Sequence, residues 1–134
     1  INPQVQKSSR ADAAYLEQAR ARELKELERR RTRYLGDHVQ VSPKDRTAVI
    51  VDDGLATGAT MKAALLAMQN MDAAQVWVAV PVAPAELLSE FDALADRVIC
   101  LNPARIFYGV GDFYNDFHQL SDEETIDLLQ QGWS

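Results

Sequence analysis

The chain has 134 residues and a mass of 14.9 kDa, and its 14 basic and 20 acidic residues give it a net charge of −6. With 47% hydrophobic and 25% charged residues it has an ordinary globular make-up, and at this length one core rather than two is expected. No apolar run approaches the roughly 20 residues that span a bilayer, no signal peptide is visible, and Cys100 stands alone, which excludes a transmembrane segment and a disulfide framework and makes a reducing cytoplasm the expected setting.

Charge is unevenly placed along the chain. Residues 1–46 hold eleven basic and seven acidic residues (net +4), and residues 47–134 hold three and thirteen (net −10). A basic arm on an acidic body raises nucleic acid as a partner. Residues 1–8 read as a loop, and Ser9 with Asp12 resembles a capping box with Asp in place of Glu. The spacing predicts a helix from Asp12 to about Tyr34, with Leu16, Ala19, Leu24, Leu27 and Tyr34 as a narrow apolar stripe. Arg22/Glu26 and Glu26/Arg30 are i,i+4 pairs that support it, and Gly36 stops it. The arginines 29–31 and 33 are interleaved with Glu, so the plainer reading of this basic patch is a solvated helix face. Binding to nucleic acid would ask for basic residues with interleaved aromatics, and only Tyr34 is near, so nucleic acid is not expected.

After a turn at Ser42–Asp45, Thr47-Ala-Val-Ile-Val-Asp52 is a continuous apolar run ending in acids, as a buried parallel strand reads. The Gly- and Thr-rich loop Asp53–Gly58 leads into a helix from about Ala59 to Met71. A second buried strand is expected over Gln75–Val82, a helix over Ala85–Leu94 behind Pro84, and a third strand over Arg97–Leu101. Residues 102–120 read as an aromatic loop, and Ser121-Asp-Glu-Glu124 opens a last helix with a capping box. This alternation means an α/β fold, a parallel sheet joined by right-handed crossovers. Three strands are few for a doubly wound sheet, which normally has five or more. The chain also begins at Ile1 rather than Met. The expectation is therefore a piece that lacks its N-terminal strands, or a sheet edge that a partner covers.

The informative stretch is Ala48-Val-Ile-Val-Asp-Asp-Gly-Leu-Ala-Thr-Gly-Ala-Thr60. Its strand delivers Asp52 and Asp53 to the C-terminal end of the sheet, where ligands of open α/β folds bind. Gly54 and Gly58 allow a tight turn and close approach to a ligand. The helix that follows opens with unpaired backbone N–H groups that favour an anion, and Thr57 and Thr60 add hydroxyl donors. The result is an anion cradle, fit for phosphate, beside two carboxylates fit for sugar hydroxyls or a hydrated metal ion. A Walker loop would need Gly at 59 and Lys at 60, where Ala59 and Thr60 stand. An Asp-x-Asp phosphatase would need an acid at 51, where Val51 stands, and no Gly-x-Gly-x-x-Gly occurs.

Four apolar residues, two acids and a Thr-Gly-x-Thr loop resemble the 13-residue signature of the type I phosphoribosyltransferases, and residues 48–60 fill it. The run Val51–Met61 is most similar to the adenine-type enzymes. Likeness also covers Trp77-Val-Ala-Val-Pro-Val-Ala-Pro84, Phe107–Tyr114, Asp116-Phe117 and the helix around Glu23–Arg31, which resemble a bacterial group known as predicted phosphoribosyltransferases. The resemblance thus covers nearly the whole chain, residues 1–134, as one phosphoribosyltransferase-type domain with a three-layer, Rossmann-like parallel sheet and a basic amphipathic helix at 9–35. Members of that group are longer at the N-terminus, where the first strands and an Arg-Gly-Gly pyrophosphate loop lie. No such segment occurs in this sequence, so weak or no turnover is expected of the isolated chain.

What the resemblance implies is phosphoribosyl transfer from phosphoribosyl pyrophosphate (PRPP) to a nitrogenous base, with release of pyrophosphate, in nucleotide salvage. Asp52 and Asp53 would hold the ribose hydroxyls and face Mg2+ indirectly, through ribose or water. The loop Gly54, Leu55, Ala56, Thr57, Gly58, Ala59 and Thr60 would wrap the 5-phosphate. Position 56 carries an acid in the hypoxanthine/guanine branch, proposed to act as acid/base at the purine, and Ala56 cannot take that role. Phe107 or Tyr108 would stack on the base, although most of the aromatics at 106–117 are more simply read as packing. Asp112 is a further candidate for the pyrophosphate–metal region. Cys100 reads as an inert strand thiol, and His38 and His118 lack ligand spacing. Other readings are a non-catalytic regulatory module that binds PRPP or a nucleotide, and a chain that forms a homo-oligomer through an open sheet edge.

Overall fold

The computed structural model describes residues 13–133, with side chains from Tyr15 onward. The Ser9/Asp12 cap and the first residues of the 9–35 helix lie outside them. Two compact units are present, one built on the first and last helices and the other comprising residues 40–118.

In the first unit, α1 (Ala13–Leu35) is rich in Ala, Leu, Glu and Arg, all strong helix formers. The expected apolar stripe is only partly used, since Leu24 and Leu27 remain 53% and 62% exposed. The last turns of α1 instead meet the final helix, Asp122–Trp133, through polar groups. Asp122 accepts Tyr34 Oη at 2.7 Å, Arg29 Nη2 at 3.2 Å and Arg33 Nη1 at 2.5 Å, and Arg33 also pairs with Glu123. Glu26 accepts from Arg29 at 2.8 Å and from Arg30 at 2.9 Å, while Arg22 pairs with Glu23 rather than Glu26. The basic patch is thus a neutralised helix face. Ser121 and Glu124 form the expected capping box: Glu124 N–H donates to Ser121 Oγ, and Ser121 N–H to Glu124 Oε2. His38 stacks on Trp133 with ring centroids 3.9 Å apart.

The second unit holds β1 (Thr47–Val51), α2 (Ala59–Asn70), β2 (Gln75–Pro84), α3 (Ala85–Asp92) and β3 (Arg97–Ala104), then a 3-10 turn at Val110–Phe113. The last helix of the chain is accordingly α4. The three strands pair in parallel, in the order β1-β2-β3, with Val49 opposite Trp77 and Ala79 opposite Ile99. That order never reverses, so two right-handed crossovers place α2 and α3 on the same face. There Val76, Val78 and Val80 meet Met61 and Leu65 of α2 and Phe91 of α3, which is fully buried. Burying a side chain of that size stabilises the fold by roughly 1.5–3 kcal/mol.

The one-sided helix layer corrects the reading of β1 as a strand buried on both faces. Val49 and Val51 are 51% and 73% exposed, and Leu101 of β3 is 80% exposed on the same side. β2 and β3 run farther than expected, through Val82↔Asn102, Ala83↔Pro103 and Pro84↔Ala104. The register skips Pro81, whose ring nitrogen carries no hydrogen to donate.

Candidate functional site

The site lies at the C-terminal ends of the strands. Beyond β1 the backbone stays tied to β2: Asp52 N–H reaches Ala79 O at 3.4 Å, and Leu55 N–H donates to Val82 O at 3.0 Å. Leu55 is buried and acts as an anchor for the loop. Gly54 packs so closely that a Cβ there would stand 2.8 Å from Val110 and 2.9 Å from Val82. Gly58, at φ +70°, is the left-handed residue that turns the loop into α2.

This segment, Asp52 to Met61, lines a cavity of about 310 Å3, closed on another side by Val110 and Phe117. The sequence-derived residues Asp52, Asp53, Gly54, Leu55, Ala56, Thr57, Gly58, Ala59 and Thr60 therefore surround one space. Thr57 and Thr60 are exposed toward solvent, the Ala59 N–H donates to Thr57 Oγ1 at 3.5 Å, and the first turn of α2 opens on the same cavity. Asp52 is half-buried, and its Oδ1 accepts the Asp53 N–H at 3.0 Å. Partial burial pushes the Asp53 carboxyl above its ordinary pKa of 3.8, the Asp52 charge adds to this, and the Gly54 N–H opposes it. Two carboxylates side by side beside an anion cradle suit a phosphorylated polyol, accepting from hydroxyls at one end and donating to phosphate at the other.

The aromatic segment divides. Phe107 stacks on Phe113, with centroids 5.6 Å apart, and lines a second cavity that shares Ala56 with the first. Tyr108 is 89% exposed and lines neither, and Asp112 is an exposed residue of the 3-10 turn. Tyr114, which sequence reasoning did not single out, donates its hydroxyl to Asp53 O at 2.7 Å and ties the aromatic segment to the carboxylate pair. Its place among five aromatics within residues 106–117 was the available signal. Among the described residues no cluster of three or more His, Cys, Asp or Glu gathers, so a divalent ion finds no all-protein cage there, only the Asp52/Asp53 pair. Among them, too, no helix is long and apolar enough to cross a membrane.

A parallel sheet whose first crossover carries this acid pair and phosphate-type loop defines a phosphoribosyltransferase-like α/β domain, and the chain belongs to that family. A family model for the phosphoribosyl transferase domain matches residues 3–118. Two Mycobacterium tuberculosis proteins (strains CDC 1551 / Oshkosh and H37Rv), each named "Putative phosphoribosyl transferase", are 37% identical over 132 residues. The match covers 98% of this chain and 30% of theirs. The crystal structure of TT1426 from Thermus thermophilus is also 37% identical, with a TM-score of 0.76 over 98% of this chain and 62% of that one. The chain thus spans less than two thirds of the length of these relatives.

Proposed function

We propose that the protein containing this chain is a PRPP-dependent phosphoribosyltransferase that acts on a nitrogenous base in nucleotide metabolism. The observation that carries this reading is the Asp52/Asp53 pair on the rim of the cradle formed by residues 54–60. In this reading the loop from Ala56 to Thr60 holds the 5-phosphate through backbone N–H groups and the Thr57 and Thr60 hydroxyls. Asp52 and Asp53 accept hydrogen bonds from the two ribose hydroxyls. A ring nitrogen of the base then attacks the anomeric carbon, the bond from that carbon to the pyrophosphate oxygen breaks, and the ring proton passes to solvent.

The chain's own contribution is positioning and charge stabilisation of a cation-like sugar, with no covalent intermediate. Mg2+ suits a site with only two carboxylates, because it keeps its waters and binds substrate phosphates. Asp52 and Asp53 would face the ion through water or ribose, and Asp112 in the 3-10 turn is a further candidate toward the pyrophosphate. When bound, the ion would supply charge neutralisation to the leaving pyrophosphate. The same reading places the protein in the cytoplasm as a homo-oligomer, the latter because, among the described residues, β1 and β3 each pair on one side only. Light scattering at several concentrations tests it, and a strict monomer counts against it.

The deciding experiment measures pyrophosphate release from PRPP by the full-length protein across a panel of bases. Turnover that is lost in the Asp52→Asn, Asp53→Asn double variant supports the enzyme. PRPP binding with no turnover across the panel assigns the chain to a regulatory binding module instead.

A further inference from the structure

Asp53 stands at a gap in the β1–β2 ladder. Asp52 N–H reaches Ala79 O, and Leu55 N–H reaches Val82 O. Between those two acceptors β2 presents Pro81, which has no N–H to donate. Side chains pin the backbone there instead. The 52–53 peptide gives its N–H to Asp52 Oδ1 at 3.0 Å, and the 53–54 peptide takes the Tyr114 hydroxyl on its C=O at 2.7 Å. Peptide units are planar, so two pinned planes set the torsions on either side of the Asp53 Cα and with them the direction of its Cα–Cβ bond.

The second plane has a further effect. Its other polar group is the Gly54 N–H, which hydrogen-bonds to the Asp53 carboxylate and favours the charged form. Holding the carbonyl aims that N–H, and a donor on the C=O polarises the peptide and strengthens the N–H opposite. The hydroxyl arrives from a half-buried ring. Tyr114 N–H is bonded to Gly111 O at 3.2 Å, and its ring lies 5.2 Å from that of Phe117, which walls the cavity. Packing against Phe117 needs only the ring and leaves the hydroxyl unexplained. The phosphate end of the cavity has other fastenings, the Leu55 bond to Val82 and Gly58 seated on Phe91, and neither involves Tyr114.

We propose that Tyr114 is a positioning residue for sugar recognition: its hydroxyl fixes the Asp53–Gly54 peptide so that the Asp53 carboxylate meets a ribose hydroxyl. Tyr114 does not itself line the cavity, so it acts through Asp53 and not by touching the ligand. The inference rests on the reading of this cavity as a phosphoribosyl site. It adds a determinant that lies sixty-one positions beyond Asp53, outside the motif at residues 48–60. The expected signature is selective. Losing the hydroxyl frees one plane at the sugar end and leaves the phosphate end as it was.

The test uses the full-length protein and Tyr114→Phe, which keeps the ring against Phe117. Calorimetry measures ribose 5-phosphate directly and inorganic phosphate as its competitor. Ribose 5-phosphate is expected to bind about fivefold more weakly to the variant, the effect of one ordinary hydrogen bond, with phosphate within about twofold of the parent. In an Asp53→Asn background the same substitution should change ribose 5-phosphate affinity by less than about twofold, because Asn keeps the backbone carbonyl but leaves no charged carboxylate to aim. Equal weakening of both ligands would make Tyr114 a general support of the fold and overturn the inference. So would a parent that binds no ribose 5-phosphate, an unchanged affinity in Tyr114→Phe, or a loss that persists undiminished in Asp53→Asn. If the selective loss is seen but PRPP is not turned over with any base of the panel, the transfer reading falls and the positioning role stands. If turnover occurs and depends on Asp53, yet Tyr114→Phe leaves kcat and the KM for PRPP unchanged, the positioning role falls alone.

Discussion

Gly58 meets two demands at once. Its φ of +70° is a conformation that costs a residue with a Cβ roughly 1–2 kcal/mol, and a Cβ there would lie 2.7 Å from the Phe91 ring. Phe91 is fully buried and has nowhere to move. Gly58→Ala should therefore cost about 2–4 kcal/mol, backbone strain and overpacking together, read as a lower urea midpoint. A loss of only about 1–2 kcal/mol, the strain alone, would mean that the ring yields. Asp53 behaves in the opposite sense. Its carboxyl is held above the usual 3.8, so the native state prefers the protonated form, and stability falls as pH rises through the raised pKa. Asp53→Asn should raise the thermal midpoint slightly at neutral pH, with the gain vanishing below pH 3.8, where the carboxyl is protonated folded and unfolded alike. On the proposed reading, the same variant should also lose affinity for ribose 5-phosphate.

Among the elements, the α1–α4 pair depends on carboxylates whose titration is shifted the other way. Hydrogen bonds from Arg29 and Arg30 pull Glu26 down to about 2, and the bond from Tyr34, with those from the arginines, lowers Asp122. Depressed acids contribute stability above their unfolded pKa and lose it as pH falls through the folded one. For Glu26 the window runs from 4.5 down to about 2. Helical circular dichroism should fall across that range and fall less in Asp122→Asn, and high salt should weaken the whole effect. How much of this the sequence carried differs by element. The strand–loop–helix of residues 47–70 was legible because two acids, two threonines and two glycines each had a local reason to be there. The extension of β3 through Asn102 and Pro103 was not, because polar residues and proline normally signal a strand end and only pairing with Val82–Pro84 overrides them. Exposure of Val49 and Val51 was illegible for a related reason: an apolar run does not say how many faces of its sheet are covered. Asp122 as the meeting point of Tyr34, Arg29 and Arg33 joins residues some ninety positions apart, beyond any local pattern.

In the unit of residues 40–118, the two cavities stand side by side at the C-terminal ends of the strands, with α2 and α3 on one face of the sheet. A ligand that fills the cradle should stabilise the folded chain by mass action. Ribose 5-phosphate at about one hundred times its dissociation constant should add about 2.7 kcal/mol, visible as a rise of several degrees in thermal midpoint. The Asp52→Asn, Asp53→Asn variant should lose most of that rise. An undiminished rise in the variant would show that the carboxylates do not touch the sugar.

The hydrogen bond from Leu55 to Val82 carries a kinetic consequence. It continues the β1–β2 ladder into the loop, so the loop backbone at the proposed phosphate site is held by the sheet in the free chain. That hold applies to the loop at Leu55. Variants of Thr57 or Thr60 should therefore leave the rate of capture nearly constant and express their weaker affinity as faster escape.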